Sequence, residues 1–172
     1  MKDFLDLAKE RYSCRSLNDR EVEQEKIDKI LRAGQLAPTA KNAQPIKIWV
    51  IKSEEAINKL KEVVKMDFGA KLFFLIGADR SKAFVRPFDN ANFADVDGAI
   101  VATHMLLEIQ ELGLNTTWVG YIDTPRLQQL MPQLQGYDLI ALFPTGYADE
   151  QKGTPGPRHA ERKDLSELVE VL

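Results

Sequence analysis

One cysteine, two histidines and no dominant charge are the scarcities that first narrow this 172-residue chain. A lone thiol, Cys14, excludes an intrachain disulfide framework and fits a reducing cytoplasm. With so few soft ligands, a zinc centre has little to be built from. His104 and Glu108 stand one helical turn apart, but no further ligand accompanies them, so a polar helix stripe is the better reading. A net charge of −3 gives no global pull toward nucleic acid or an anionic membrane, so any anion site must be local. No apolar run approaches a membrane span, and Met1-Lys2-Asp3-Phe4-Leu5-Asp6 lacks the apolar core of a signal peptide. The expected location is therefore cytoplasmic. Missing too are a Gly-x-Gly-x-x-Gly fingerprint, a P-loop and a Gly-x-Ser-x-Gly elbow. With no strong acid–base or nucleophile constellation in view, any chemistry belongs to a cofactor.

What is present is an ordinary globular composition, 44% apolar and 28% charged, in a length suited to one domain over 1–172. Patterning predicts helices over 3–11 (capped by Asp3, with Phe4, Leu7 and Ala8 on one face), 24–35 and 53–64 (capped by Ser53). It also predicts a long helix over 95–112, closed by Gly113, and a short one from Thr124-Pro125, read as cap and N1 proline. Strands are expected at 46–51, 72–78, 116–119 and 139–144, the second buried on both faces. The 95–112 helix is apolar on most sides. Its polar residues Asp97, His104, Glu108 and Glu111 read as one narrow stripe, so it belongs at the core or a subunit interface. Residues 79–93 form a loop long enough to be a lid, and 146–157 an irregular excursion. Residues 165–172 fit a short helix or an edge strand. The fold class is α+β.

Three stretches carry candidate chemistry. In Arg11-Tyr12-Ser13-Cys14-Arg15, an extended backbone would project Arg11, Ser13 and Arg15 to one face, two guanidiniums and a hydroxyl suited to a phosphate. In Ala37-Pro38-Thr39-Ala40-Lys41-Asn42-Ala43-Gln44-Pro45, two prolines stiffen a turn of small residues. Asn42 and Gln44 there offer donors and acceptors for the edge of a planar heterocycle. In Gly113-Leu114-Asn115-Thr116-Thr117-Trp118-Val119-Gly120, Trp118 and Gly120 flank a strand end, where Gly120 allows a flat ring to approach. Taken singly, each also reads as a solvated segment, a rigid connection or a packed strand.

In this order and spacing, the three stretches resemble the nitroreductase family of FMN-dependent oxidoreductases, nearly end to end. Phe143-Pro144-Thr145-Gly146-Tyr147 and the late Arg162-Lys163 add to the likeness. The resemblance implies a nitroreductase-like fold, with a central mixed or antiparallel sheet flanked by helices, and a homodimer with FMN at the subunit interface. By that analogy Arg11, Tyr12, Ser13 and Arg15 belong to the flavin cradle, with Arg162 and Lys163 on the phosphate. Arg15 is the first candidate for positive charge near N1–O2 of the reduced flavin. Pro38, Thr39, Ala40, Asn42 and Gln44 would reach the flavin from the partner subunit. Trp118, Val119 and Gly120 would lie at its central ring, with a backbone N–H near N5.

The implied activity is ping-pong hydride transfer from NADPH or NADH to FMN, and then to a nitroaromatic, quinone or related acceptor. Flavin-fragmenting or dehalogenating chemistry on the same fold, or flavin binding without turnover, are the alternatives. Lys41 departs from the family habit of a small or hydroxylic residue in the turn. Loop 79–93, with Phe84, Arg86, Phe88 and Phe93, is the expected substitute for the larger members' helical cover.

Overall fold

The protein is described by a computed structural model covering residues 3–172. Four strands make one antiparallel sheet: β1 (Ile46–Ile51), β2 (Leu72–Ala78), β3 (Asn115–Thr116) and β4 (Asp138–Gly146), in the order β1-β2-β4-β3. All seven residues of β2 are buried, as expected of a strand covered on both faces. Alternation along β2 and β4 divides the core in two. Leu72, Phe74, Ile76 and Phe143 pack with α2 (Gln24–Leu36) and α4 (Ala94–Glu111). Phe73, Leu75 and Leu142 pack on the other side with α3 (Glu54–Lys61) and α5 (Thr124–Leu130). The result is an α+β sandwich with helices on both faces of an antiparallel sheet.

Helix α4 settles against β4 because Gly98 has no Cβ: one built there would come 2.3 Å from Ile140 Cδ1. The helix stops as expected. Gly113 takes φ +71, the Leu114 N–H donates to Ile109 O and the Gly113 N–H donates to Gln110 O, a left-handed cap. Ser53 caps α3 by accepting from the Ala56 N–H, although the helix ends at Lys61, three residues before the sequence pattern stops.

Several expectations need correction. Helix α1 (Phe4–Glu10) has no side-chain cap from Asp3, and on the face that Phe4 shares with Leu7 the Phe4 ring is 62% exposed. The cap of α5 is Asp123, accepting from the Arg126 N–H, so Thr124 begins the helix instead of capping it. The expected 116–119 strand is interrupted. Thr116 pairs with Thr145 and Val119 with Leu142, so Thr117 faces Pro144 in the same register. Pro144 has no N–H to exchange, and its carbonyl is taken by the Thr116 hydroxyl. Residues 165–172 form neither a helix nor an edge strand. A single 3₁₀ turn, Leu165–Glu167, is closed by an Asp164 capping box and followed by exposed chain.

Candidate cofactor site

The 11–15 arm lies along the sheet edge, and alternation ends beyond it, since Leu17 is buried in the same core half as Cys14. Ser13 bridges Thr116 in parallel, the Cys14 N–H donates to Thr116 O at 3.0 Å, and Leu17 pairs with Ala148. Cys14 and Leu17 point into the core, and Cys14 is fully buried with its thiol toward Ser16 O. The pattern leaves Arg11, Ser13 and Arg15 on the opposite, more open side.

Arg11 is held close enough to Arg162 for the two guanidiniums to repel. Burial first, and Arg162 second, lower the Arg11 pKa. Among the described residues, no carboxylate stands within ion-pair distance of Arg11, Arg15 or Arg162. Arg162 is braced by its own donation to the carbonyls of His159 and Glu161. Lys163 turns away to Glu167 at 4.0 Å. Two guanidiniums that repel each other, with no carboxylate in ion-pair distance among the described residues, fit a dianionic group such as a phosphate.

Tyr12 plays a different part from its neighbours. Its ring packs into the second core half, its hydroxyl donates to Gly153 O, and His159 meets it edge-on at 6.1 Å between centroids. It thereby fastens the 146–157 excursion and the approach to Arg162 onto the arm. Sequence reasoning grouped Tyr12 with the cradle and missed this tether, because its partner lies 141 residues away.

At the end of β3, Trp118 packs edge-on against Phe143 at 5.4 Å. Val119 exchanges both backbone hydrogen bonds with Leu142, so its N–H is spent inside the sheet. Gly120 is exposed, a Cβ built on it would meet nothing within 4 Å, and its N–H has no acceptor among the described residues. The available donor at this strand end is therefore Gly120, with open space beside it.

The 38–44 turn is conformationally unusual. Lys41, Asn42 and Gln44 take φ of 53°, 53° and 47°, in the left-handed region that costs a non-glycine residue about 1 kcal/mol or more. Two contacts hold it: the Thr39 hydroxyl accepts from the Gln44 N–H, and Asp97 Oδ1 accepts from the Ala40 N–H at 2.8 Å. Pro38 and Asn42 are exposed. Asp97, expected on the polar stripe of α4, is instead fully buried beneath this turn, and its Oδ2 has no partner. An acid directly before Gly98, where α4 packs closely, was the available sign that this turn of the helix meets backbone. Among the described residues, no hydrogen bond, ion pair or ring contact within one protomer joins the turn to the 11–15 arm.

Fold and site together define an α+β protein with a basic cradle along the edge of an antiparallel sheet. Residues 8–72 match the model of the nitroreductase family. A nitroreductase family protein from Clostridium difficile 630 is 37% identical, with a TM-score of 0.90 and 98% of both chains covered. An FMN-dependent nitroreductase from Clostridium difficile R20291 is 28% identical, with a TM-score of 0.73 over 90% of this chain and 92% of that one. A protein of Methanothermobacter thermautotrophicus with the provisional name NADH dehydrogenase/NAD(P)H nitroreductase is 29% identical, covering 88% of this chain and 81% of its own. The chain belongs to the nitroreductase family.

Proposed function

We propose that this protein is an FMN-dependent oxidoreductase that draws on NADPH or NADH and reduces nitroaromatic, quinone or related acceptors. The observation that carries this reading is the mutual repulsion of Arg11 and Arg162, with no carboxylate in ion-pair distance among the described residues, beside a strand end open at Gly120. When bound, FMN supplies a two-electron carrier that takes a hydride from NAD(P)H and gives it up to the acceptor in a ping-pong cycle. Arg11 and Arg162 bind the phosphate, Ser13 adds a hydroxyl, and Arg15 keeps positive charge at the pyrimidine end. Gly120 leaves room for the ring and offers its N–H. For a nitro acceptor the balance is one NAD(P)H and one proton in, nitroso compound, NAD(P)⁺ and water out.

A homodimer belongs to the same proposal. Among the described residues no hydrogen bond, ion pair or ring contact joins the 38–44 turn to the arm of its own protomer, which suits a turn serving the partner's cradle. Beside α4, a groove of about 700 Å³ is lined by Phe4, Leu7, Ala33, Leu36 and Leu107, with Leu36 itself 65% exposed. An exposed apolar groove of this size suits a second copy of the chain.

The test is anaerobic stopped-flow on protein carrying FMN. Addition of NADPH or NADH should bleach the flavin absorbance, and a nitroaromatic or quinone should restore it. Protein that cannot be loaded with FMN, or loaded protein that neither nicotinamide reduces, contradicts the proposal.

A further inference from the structure

Backbone strain is concentrated in one place. Three of the five non-glycine residues with positive φ fall within the four positions 41–44. Such strain persists only where surrounding structure enforces it, and here the buried Asp97 carboxylate below and the Thr39 hydroxyl beside the turn do so. What this arrangement presents is Lys41. Its side chain is exposed and its ammonium lies 4.6 Å from the centroid of the Phe84 ring.

Phe84 belongs to the base of a hairpin-like excursion, where the Phe93 N–H donates to Phe84 O and Val85 bridges Asn92. Phe84 and Phe93 lean on each other at 5.4 Å, and Phe88 at the tip is 92% exposed. Every cation of the 79–93 excursion carries its own carboxylate: Arg80 has Asp95 and Asp138, Lys82 has Asp79, and Arg86 has Asp89. Lys41, set against the same aromatic ring pair, has none among the described residues. An exposed cation–π contact is worth about 0.5–1 kcal/mol, too little to compete with a carboxylate that can also lay its ring on the aromatic shelf.

We infer that Lys41 is a specificity residue, and that the preferred acceptors are small aromatic compounds bearing a carboxylate. The ring would rest on Phe84 while the anionic group meets the Lys41 ammonium. This rests on the proposed function, because it needs the 38–44 turn to border the flavin.

The test measures acceptor kcat/KM for 4-nitrobenzoate and 4-nitrobenzamide with flavin-loaded wild type, Lys41→Gln and Lys41→Arg. Carboxylate and amide also differ in intrinsic reducibility, so the readout is the change in their ratio between proteins. The benzoate-to-benzamide ratio should fall up to about fivefold in Lys41→Gln, the upper size of one exposed ion pair. The change should lie mainly in KM. Lys41→Arg should keep the wild-type ratio, and added salt should bring wild type toward Lys41→Gln. Donor kcat/KM for NADPH and NADH should change by the same factor in Lys41→Gln, which separates an acceptor site from a contact with the donor's extra phosphate. A ratio unaltered by Lys41→Gln, or a loss of NADPH relative to NADH usage in that variant, overturns the inference while reduction of nitrobenzamide still upholds the oxidoreductase. Flavin-loaded wild type that reduces neither compound with either donor removes both.

Discussion

The 11–17 arm and the 38–44 turn are both short connections, yet they hold their energy in different forms. The arm has relaxed backbone, free of positive φ, tied down by the Cys14 N–H to Thr116 O, the Leu17 N–H to Phe68 O and the Asp149 N–H to Ser16 O. Its tension is electrostatic, from the mutual repulsion of Arg11 and Arg162. The turn has no cation pair; its tension is conformational, in the left-handed Lys41, Asn42 and Gln44. Electrostatic tension is released when an anion arrives, so it makes a binding site. Conformational tension is not released that way. It fixes which atoms a turn shows to its surroundings, so it makes a shaped surface.

The largest expected effect tests the arm. Replacing both Arg11 and Arg15 with Ala should abolish FMN retention, because each charge-assisted contact contributes about 1.5–3 kcal/mol, roughly 10- to 100-fold in affinity. The flavin-free double variant should nonetheless unfold no earlier than flavin-free wild type, since it sheds the repulsion between Arg11 and Arg162. Flavin stoichiometry and a thermal melt check the two halves. A variant that purifies with full flavin breaks the assignment of the cradle.

The turn should answer in stability. Asp97→Ala leaves the Ala40 N–H without its acceptor and should cost about 1–3 kcal/mol in urea unfolding. Asp97→Asn keeps an acceptor for that N–H, so it should lose clearly less. Equal losses would show that the carboxylate does not pin the turn.

These two regions were not equally legible in the sequence. Extended alternation and like-charged residues are local properties, so Arg11, Ser13 and Arg15 could be placed on one face from spacing alone. The β2 boundaries at Leu72 and Ala78 were legible for the same reason: seven apolar residues need burial on both faces. The turn's character was not local. Nothing in Ala40-Lys41-Asn42-Ala43-Gln44 requires positive φ, and no glycine marks it. The conformation depends on Asp97, which lies 57 residues from Ala40 and looked like a solvated helix residue. Likewise the break in the Thr116–Val119 strand came from Pro144 on another strand. The helices' cores were read correctly, while their ends at Asp3, Thr124 and Val64 depended on which side chain reached which N–H.

A smaller test sharpens the contrast through glycine. Gln44→Gly relieves a left-handed residue and should stabilise by about 0.5–1 kcal/mol, offset in part by the freer unfolded chain. Ser13→Gly, at an extended position, gains nothing and should destabilise by a similar amount. Opposite signs in paired thermal melts support the division between strained turn and relaxed arm, and two losses would deny it.

The smallest effect belongs to the arm's inward face and appears only in alkali. Burial, followed by the charge and hydrogen bond of Cys14, pushes the Tyr12 phenol from 10.0 up to about 12. A group with a raised folded-state pKa binds its proton more tightly folded than unfolded, so stability is fully present below pH 10 and falls as pH rises toward 12. The slope is therefore negative across that window. Tyr12→Phe should be less stable near neutrality, having lost the hydrogen bond to Gly153 O, but should show a shallower decline from pH 10 to 12 in chemical unfolding. The phenol's proton and its tether to the 146–157 excursion are the same atom, so alkali should loosen Arg162 from Arg11 as it ionises Tyr12. FMN affinity should then weaken over the same window in wild type and stay flatter in Tyr12→Phe. Parallel affinity profiles would mean that Tyr12 supports the fold without transmitting anything to the cradle.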